Sequence, residues 1–294
     1  MALSIKSTIK QVRDSILEAL PVRAALNLEF FLYHHRFPNL DAPTTFNEKV
    51  QHRKLFDRDP RLPELSDKIL AKEHVARILG PEWVVPTIWS GCSLPPRLER
   101  TWPLPYVLKT NHGSGWNLFI RSREDENWDD IERITAHWLG MRYGRPSHEW
   151  AYSTINPMLL VEPFLDEVAS NPNDYKLWVF GGKVVFIEVD TGRYLNHQQY
   201  FYDREWKRQP FEYAAPGSVE DVPPPQSLEK MIWAAERLGA AFSFIRVDFY
   251  ETGGSPRFGE LTFYPNSARC RFKPESADAE LGRMWPIYST AEKQ

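Results

Sequence analysis

The stretch that most constrains this chain lies near its carboxyl end: FSFIRVDFYETGGSPRFGELTFYPNS, residues 242–267. FSFIRVDFY is rich in β-branched and aromatic residues, TGGSP is turn chemistry, and RFGELTF resumes the strand pattern, so a β-hairpin is predicted. Folding about Gly253-Gly254 brings Asp248 and Glu260 close across the two strands. Alternation puts Arg246 on the face of Asp248 and Thr262 on the face of Glu260. Two facing carboxylates repel one another, so a group of opposite charge is needed between them. A divalent cation answers that need, and hard oxygen ligands favour Mg²⁺, which takes one or two carboxylates plus substrate phosphates. The plain alternative is an exposed hairpin edge whose charges keep it soluble.

The 294 residues can bury a sizeable core in one large domain or in two to three lobes. An apolar fraction of 42% and a charged fraction of 26% exclude disorder, collagen and coiled coil. A net charge of -3 makes no electrostatic case for a nucleic-acid partner. Cys92 and Cys270 are far apart and outside any CxxC spacing, so neither a disulfide framework nor a zinc site is expected. A reducing cytosol is the natural compartment. No apolar run reaches membrane-spanning length, and charges in MALSIKSTIKQVRDSILEAL break any signal-peptide core. That opening has helical spacing, which predicts an amphipathic helix covering the protein's own core, with peripheral membrane contact as the alternative. The 24 prolines and 11 tryptophans imply short, proline-bounded connections and aromatic packing surfaces.

Residues 1–60 carry helical patterns broken at Pro21 and Pro38, and Thr45 with Glu48 three positions later forms a capping box. ELSDKILAKEHVARIL, residues 64–79, predicts an amphipathic helix with Ser66 as cap and Gly80-Pro81 as stop. WVVPTIW reads as a short strand and SGCSLPPRLERTWPLP as a loop. A helix is expected over 123–140, a buried strand in MLLVEPFLD, and a second hairpin in DYKLWVFGGKVVFIEVD, joined at Gly181-Gly182. TGRYLNHQQYFYDREWKRQPFEY reads as loop, and residues 226–240 as a helix feeding the carboxylate hairpin.

YVLKTNHGSGWNLFIRS places Lys109 at the end of an apolar strand, followed by a loop with Gly113 and Gly115 and a returning strand. Such a loop can fold its backbone N–H groups over phosphates, with the lysine as point charge. It is neither GxxxxGK[ST] nor GxGxxG, and a plain hairpin turn is the competing reading.

Taken in order, SDK at 66–68, VLK with NHGSG at 107–115, LVEPF at 160–164, DYK at 174–176, then RVDFY and GELTF resemble the ATP-grasp superfamily. Within it the chain is similar to the TupA-like group of bacterial cell-surface polysaccharide and teichuronopeptide synthesis, from about Thr45 to about Asp278. The resemblance implies an α+β fold in which two lobes of mainly antiparallel sheet grip ATP. Residues 1–60 would be a helical lead-in, 61–165 the lobe with the glycine loop, and 166–294 the lobe with the metal-binding hairpin. By the same resemblance, Lys68 and Lys109 reach the nucleotide phosphates and His112, Gly113, Ser114 and Gly115 close over them. Glu162, Pro163 and Phe164 hold adenine, Asp174 the ribose, and Lys176 faces nucleotide or phosphate. Asp248, Glu260 and Thr262 hold Mg²⁺, and Arg246 binds the transferring phosphate. Many superfamily members have E-x-N where this chain has Glu260-Leu261-Thr262, so a hydroxyl replaces an amide oxygen and the second metal site is in question. Asn266 is a further substitute.

The activity implied is an ATP- and Mg²⁺-dependent carboxylate-amine ligase working through an acylphosphate, cytoplasmic or peripheral to the inner face of the membrane. Its partners would be small-molecule or saccharide carboxylates and amines. A glycosyltransferase, a small-molecule kinase and a non-catalytic nucleotide-binding scaffold are the competing readings. Arg193 and the cluster Arg269, Arg271 and Lys273 are candidates to hold a substrate carboxylate, because arginine forks match its geometry. Tyr194, Tyr200 and Tyr202 are candidates to stack on sugar rings, with ordinary packing as the alternative. His34, His35 and His197 lack metal-ligand spacing and read as structural or surface residues. No general base for the amine is identifiable.

Overall fold

The computed structural model describes residues 2–165, 173–192 and 196–286, with side chains from Ile9 onward. Two antiparallel sheets face each other across a cleft. The first is built from β1 (Trp89–Gly91), β2 (Tyr106–Thr110), β3 (Asn117–Ile120) and β4 (Leu159–Pro163), in the order β1-β4-β2-β3. The second is built from β5 (Asp174–Phe180), β6 (Lys183–Thr191), β7 (Gln198–Tyr202), β8 (Phe244–Thr252) and β9 (Ser255–Thr262), in the order β7-β6-β5-β8-β9.

The amino-terminal segment forms α1 (Ala2–Ala19), α2 (Val22–His34) and α3 (Phe46–Phe56). Pro21 separates the first two because it lacks the N–H that a continuous helix needs. Thr45 caps α3, and both capping-box hydrogen bonds with Glu48 are present. Phe46 then enters the core of the second sheet, with ring centroids 5.0 Å from both Trp178 and Phe244. Truncating such a buried ring costs about 3–5 kcal/mol, so α3 is bound to that lobe rather than a detachable leader.

The helix expected over 64–79 is two helices, α4 (Arg61–Ser66) and α5 (Lys68–Leu79). Asp67, not Ser66, is the cap: its carboxylate accepts from the N–H groups of Ile69 and Leu70, at 2.8 and 3.3 Å. Gly80, at φ 116, ends α5 as anticipated. The strand expected in WVVPTIW is displaced, because Pro86 cannot donate to a ladder. Pro81–Trp83 is a 3₁₀ turn, Val84 makes only an isolated bridge to Phe258, and the strand proper begins at Trp89. α6 (Trp128–Gly140) starts five residues later than expected, capped by Asn127, and a short α7 (Trp150–Ser153) follows.

QQYFY was expected to be loop, yet it is β7. Its polar Gln199 points into the cleft and donates to Glu188 and Asp190, while Phe201 and Tyr202 are buried. A strand whose polar face meets buried carboxylates lacks the apolar alternation that marks strands in sequence. Behind the sheet lies α8 (Leu228–Gly239), so close that a Cβ on Gly239 would come 2.6 Å from a methyl of Val179. α9 (Ser276–Met284) packs on α3 just as tightly: a Cβ on Gly282 would stand 2.1 Å from the Thr44 carbonyl. Among the described residues no helix is long and apolar enough to cross a membrane.

The carboxylate hairpin is β8–β9, turning at Gly253-Gly254, both with positive φ as a tight two-residue hairpin requires. A symmetric fold about that turn would set Asp248 opposite Gly259. A bulge after Asp248 instead pairs it with Glu260 and leaves Gly259 as the extra residue. A side chain there would crowd the Asp248 carbonyl, 3.2 Å from the Cβ position.

Candidate ATP and acceptor site

The cleft face of the second sheet carries a rung of four charges. Glu188 pairs with Lys176, Lys176 with Asp248, and Asp248 with Glu260, across four neighbouring strands. The next rung holds Trp178, Arg246 and Thr262. Adjacent strands lie about 4.8 Å apart, so charges are stacked at close range on a buried surface. Arg246 offsets the two facing carboxylates. Its Nε and Nη2 donate to the two Asp248 oxygens at 2.8 and 2.7 Å, and Nη2 is 3.6 Å from Glu260 Oε1. Thr262 Oγ1 donates to Glu260 Oε1 at 3.3 Å. Burial pushes the Asp248 carboxyl up to about 7; Arg246 opposes the shift and Glu260 adds to it. Asp248, Glu260 and the Thr262 hydroxyl form a hard-oxygen donor set that fits Mg²⁺. Among the described residues no group of three or more His, Cys, Asp or Glu could hold a metal alone, which suits an ion completed by substrate phosphates.

Two cavities open from this rung. The smaller, about 180 Å³, is bordered by Lys68, Lys109, Ser114, Gly115, Glu162, Pro163, Phe164, Asp174, Asp248 and Glu260, with Val85, Phe119 and Tyr250 among its other walls. The larger, about 880 Å³, takes in Gly113, Lys176, Arg246, Thr262, Asn266 and Arg269. Lys68, Ser114, Gly259 and Glu260 border both. The glycine loop stands at their junction, tied down by Lys68, whose Nζ donates to the Gly113 carbonyl.

Several predicted residues take other roles. Glu162 is buried, and its side chain is held by Lys72 at 2.7 Å and Lys109 at 2.5 Å. Burial alone would raise its pKa, but the two lysines more than offset this and hold it below the ordinary carboxylate value. Lys176 is an internal cation held by Asp190, Asp174 and Glu188, and it borders the larger cavity rather than the smaller. His112 lies behind the Trp116 ring, its Nδ1 3.1 Å from Asn111 Oδ1, and borders neither cavity. Arg271 donates to the Tyr33 carbonyl at 2.6 Å and also borders neither. Lys273 is joined by backbone to Glu212, away from the cleft. Tyr202 stacks on Trp206 and Tyr200 bonds Gln198, both outside the cleft. Arg193 and Tyr194 lie outside the described residues. His197 stands 3.1 Å from Asp190 in the wall of the larger cavity, whereas His34 bonds the Ala268 carbonyl.

Sequence reasoning missed Lys72, Glu188, Asp190 and Glu149. Lys72 had a signal, since it follows Lys68 by one helical turn on α5. The other three had none: Glu188 and Asp190 lie on the second arm of the predicted hairpin DYKLWVFGGKVVFIEVD, and Glu149 lies between the helix expected over 123–140 and the strand MLLVEPFLD. Missed too was the part played by α1, whose Lys10, Asp14 and Glu18, spaced four residues apart, border the larger cavity.

The model of the TupA-like ATP-grasp family matches residues 48–285. This chain belongs to that family. Its two facing antiparallel sheets are the two grips of the ATP-grasp fold. Solved structures similar to this TupA-like chain include an L-amino acid ligase from Bacillus licheniformis, at 10% identity and TM-score 0.49, covering 92% of this chain and 64% of that one. A D-alanine–D-alanine ligase from Bacillus anthracis complexed with ATP gives 13% identity and TM-score 0.42, covering 68% of this chain and 55% of that one. An N5-carboxyaminoimidazole ribonucleotide synthetase from Thermus thermophilus gives 18% identity and TM-score 0.40, covering 74% and 52%. The chain thus spans little more than half the length of the latter two. A comparison with curated proteins finds no match.

Proposed function

We propose that this TupA-like ATP-grasp protein is an ATP-dependent carboxylate-amine ligase. The observation that carries the reading is the meeting of two cavities at one charged rung, with Lys68 and Glu260 bordering both. A reaction joining a nucleotide to an acceptor needs such a junction. ATP would occupy the smaller cavity, its base against Phe164 and the Glu162-Pro163 strand end, its ribose toward Asp174, and its phosphates toward Lys68, Lys109 and the Ser114-Gly115 backbone. Asp248, Glu260 and Thr262 would hold Mg²⁺, which when bound neutralises phosphate charge. The acceptor carboxylate, in the larger cavity beside Arg246, attacks the γ-phosphorus; ADP leaves and an acylphosphate forms. Phosphoryl transfer asks mainly for positioning and charge neutralisation, which fixed lysine and arginine side chains supply. An amine then displaces phosphate to give the amide.

The Lys109–Glu162 pair bears on the first step. Lys109 must turn from Glu162 toward phosphate as nucleotide enters, and Lys72 remains to neutralise Glu162. In keeping with the group this family is named for, the proposed acceptor is a sugar acid or amino acid of a bacterial cell-surface polymer, modified in the cytosol where ATP is supplied. A cavity of about 880 Å³ lies within the size range of sites for large ligands. The test is ADP and phosphate release by purified protein with MgATP and paired panels of uronic acids, amino acids and amines. Release that needs both a carboxylate and an amine is expected. Turnover of nucleotide sugars without any turnover of ATP would overturn the reading.

A further inference from the structure

The larger cavity has a far wall that the phosphoryl-transfer step does not use. There Glu149 presents a buried carboxylate. The cavity's other carboxylates are committed: Glu188 accepts from Trp178 and Gln199, both at 2.8 Å, Asp190 from Lys176 and Gln199, and Asp14 from Arg13. Glu18 sits on the exposed rim. Among the described residues no lysine or arginine stands within salt-bridge distance of Glu149, and Ser267 is its hydrogen-bond partner. Lys54 and Arg269, nearby, are matched to Glu29 at 3.5 and 2.6 Å.

The packing and the backbone set this wall apart. Ser66 and Tyr264 border the cavity, but their hydroxyl oxygens are buried in the protein behind its surface, where neither has a hydrogen-bond partner among the described residues. Backbone strain also gathers here: His148 at φ 53, and Asn266, Ser267 and Ala268 in succession at 47, 56 and 56. Non-glycine residues hold such angles only where their surroundings impose them, often at ligand clamps. Between this wall and the metal-side carboxylate lie Tyr143 and Tyr152, whose ring centroids are 5.3 Å apart and whose hydroxyls feel the negative charges of both Glu149 and Glu260.

We propose that this wall is the amine subsite, where the incoming ammonium rests against Glu149 and the tyrosine faces and Glu149 receives the proton released on attack. The inference rests on the ligase reading and extends it to the second half-reaction. The ammonium first sheds one proton to solvent. Its nitrogen then bonds to the acyl carbon, the carbon–oxygen bond to phosphate breaks with its electron pair leaving on phosphate, and the second proton passes to the Glu149 carboxylate. Aromatic faces attract ammonium groups and a carboxylate fixes them. Burial pushes the Glu149 carboxyl up, and Lys54 offsets this only in part, the direction that favours taking up a proton.

Hydroxylamine separates this role from the first half-reaction, because it is already neutral at pH 7 and intercepts acylphosphates without a base. The full chain, Glu149→Gln and Glu149→Asp are assayed with MgATP and the uronic acid or amino acid that best supports ADP release. The nucleophile is either hydroxylamine or a primary amine such as ethanolamine. In Glu149→Gln, amide formation with the primary amine falls on the order of 10²-fold, hydroxamate formation falls by less than about 10-fold, and Glu149→Asp recovers part of the amine rate. Equal losses with both nucleophiles, or no loss with either, overturn the proposal while leaving the ligase reading standing. Absence of ADP release from the unaltered protein with every pair overturns the ligase reading, and this inference with it.

Discussion

The two cavities differ in how their charges are settled. In the smaller one, Glu162 is clasped by two lysines and lies below the ordinary carboxylate value, so its charge is a standing part of the fold. In the larger one, Glu149 lacks such a partner and burial raises its pKa, so its charge is costly until something arrives. One half holds its carboxylate paired before any ligand enters; the other leaves one without a cation in salt-bridge reach among the described residues. On the proposed function, the nucleotide meets a pocket whose carboxylate is already paired and where Lys109 has to turn, whereas the acceptor meets one whose carboxylate has no such cationic partner.

The contrast can be broken in several ways. The largest expected effect is on turnover: Glu260→Gln, at the junction, should lower Mg²⁺-dependent ADP release on the order of 10²–10³-fold, since removing one preorganised charged group commonly costs that much. ADP release measured across Mg²⁺ concentrations checks it, and an unchanged rate would remove Glu260 from the metal site. Glu162→Gln should cost about 3 kcal/mol in denaturant unfolding at pH 7, because it leaves the buried Lys72 and the half-buried Lys109 without their counter-charge. The sign follows from linkage. A depressed carboxyl binds fewer protons folded than unfolded, so its contribution is complete above the unfolded value near 4.5 and fades as pH falls through the folded value. The loss should therefore shrink in acid.

Glu149→Gln should do the reverse. A raised carboxyl binds more protons when folded, so the unaltered protein loses stability as pH climbs from 4.5 toward the raised value. The glutamine variant escapes that loss and should be more stable at pH 8, with little difference at pH 4. If both variants shift the unfolding curve in the same direction at neutral pH, the contrast between the cavities is wrong. The smallest effect belongs to Arg271→Ala, which removes a hydrogen bond to the Tyr33 carbonyl outside both cavities; a loss under about 1 kcal/mol and unchanged turnover are expected.

The same contrast explains what could be read from sequence. The carboxylate hairpin, the glycine loop and the lysines were legible because strands and tight turns have local chemistry: Gly253-Gly254 demands a turn, and period-two alternation assigns faces. The opposition of Asp248 and Glu260 was anticipated, but its cause, the bulge at Gly259, was not, although a glycine inside a strand is the usual mark of one. Lys176 and Glu162 were assigned to ligand by position in a motif, whereas their partners come from strands and helices distant in sequence. The acceptor wall was the least legible part. Glu149, Ser66, Tyr264 and Ser267 meet only through tertiary folding, and no spacing links them. Strain at Asn266, Ser267 and Ala268 leaves no trace in composition, since none of the three is glycine.

That only Lys68, Ser114, Gly259 and Glu260 border both cavities among the described residues has a bearing on evolvability. Loop 141–149, between α6 and α7, and loop 264–269, after β9, border the larger cavity and not the smaller. On the proposed function they can diverge with little effect on the residues meant to face ATP, save where Tyr143 is hydrogen-bonded to Ser114 of the glycine loop. Gly259 is the exception: it serves both sides at once and has no side chain to vary. The chain is therefore organised as a fixed engine with an exchangeable mouth, hinged on one bulged strand.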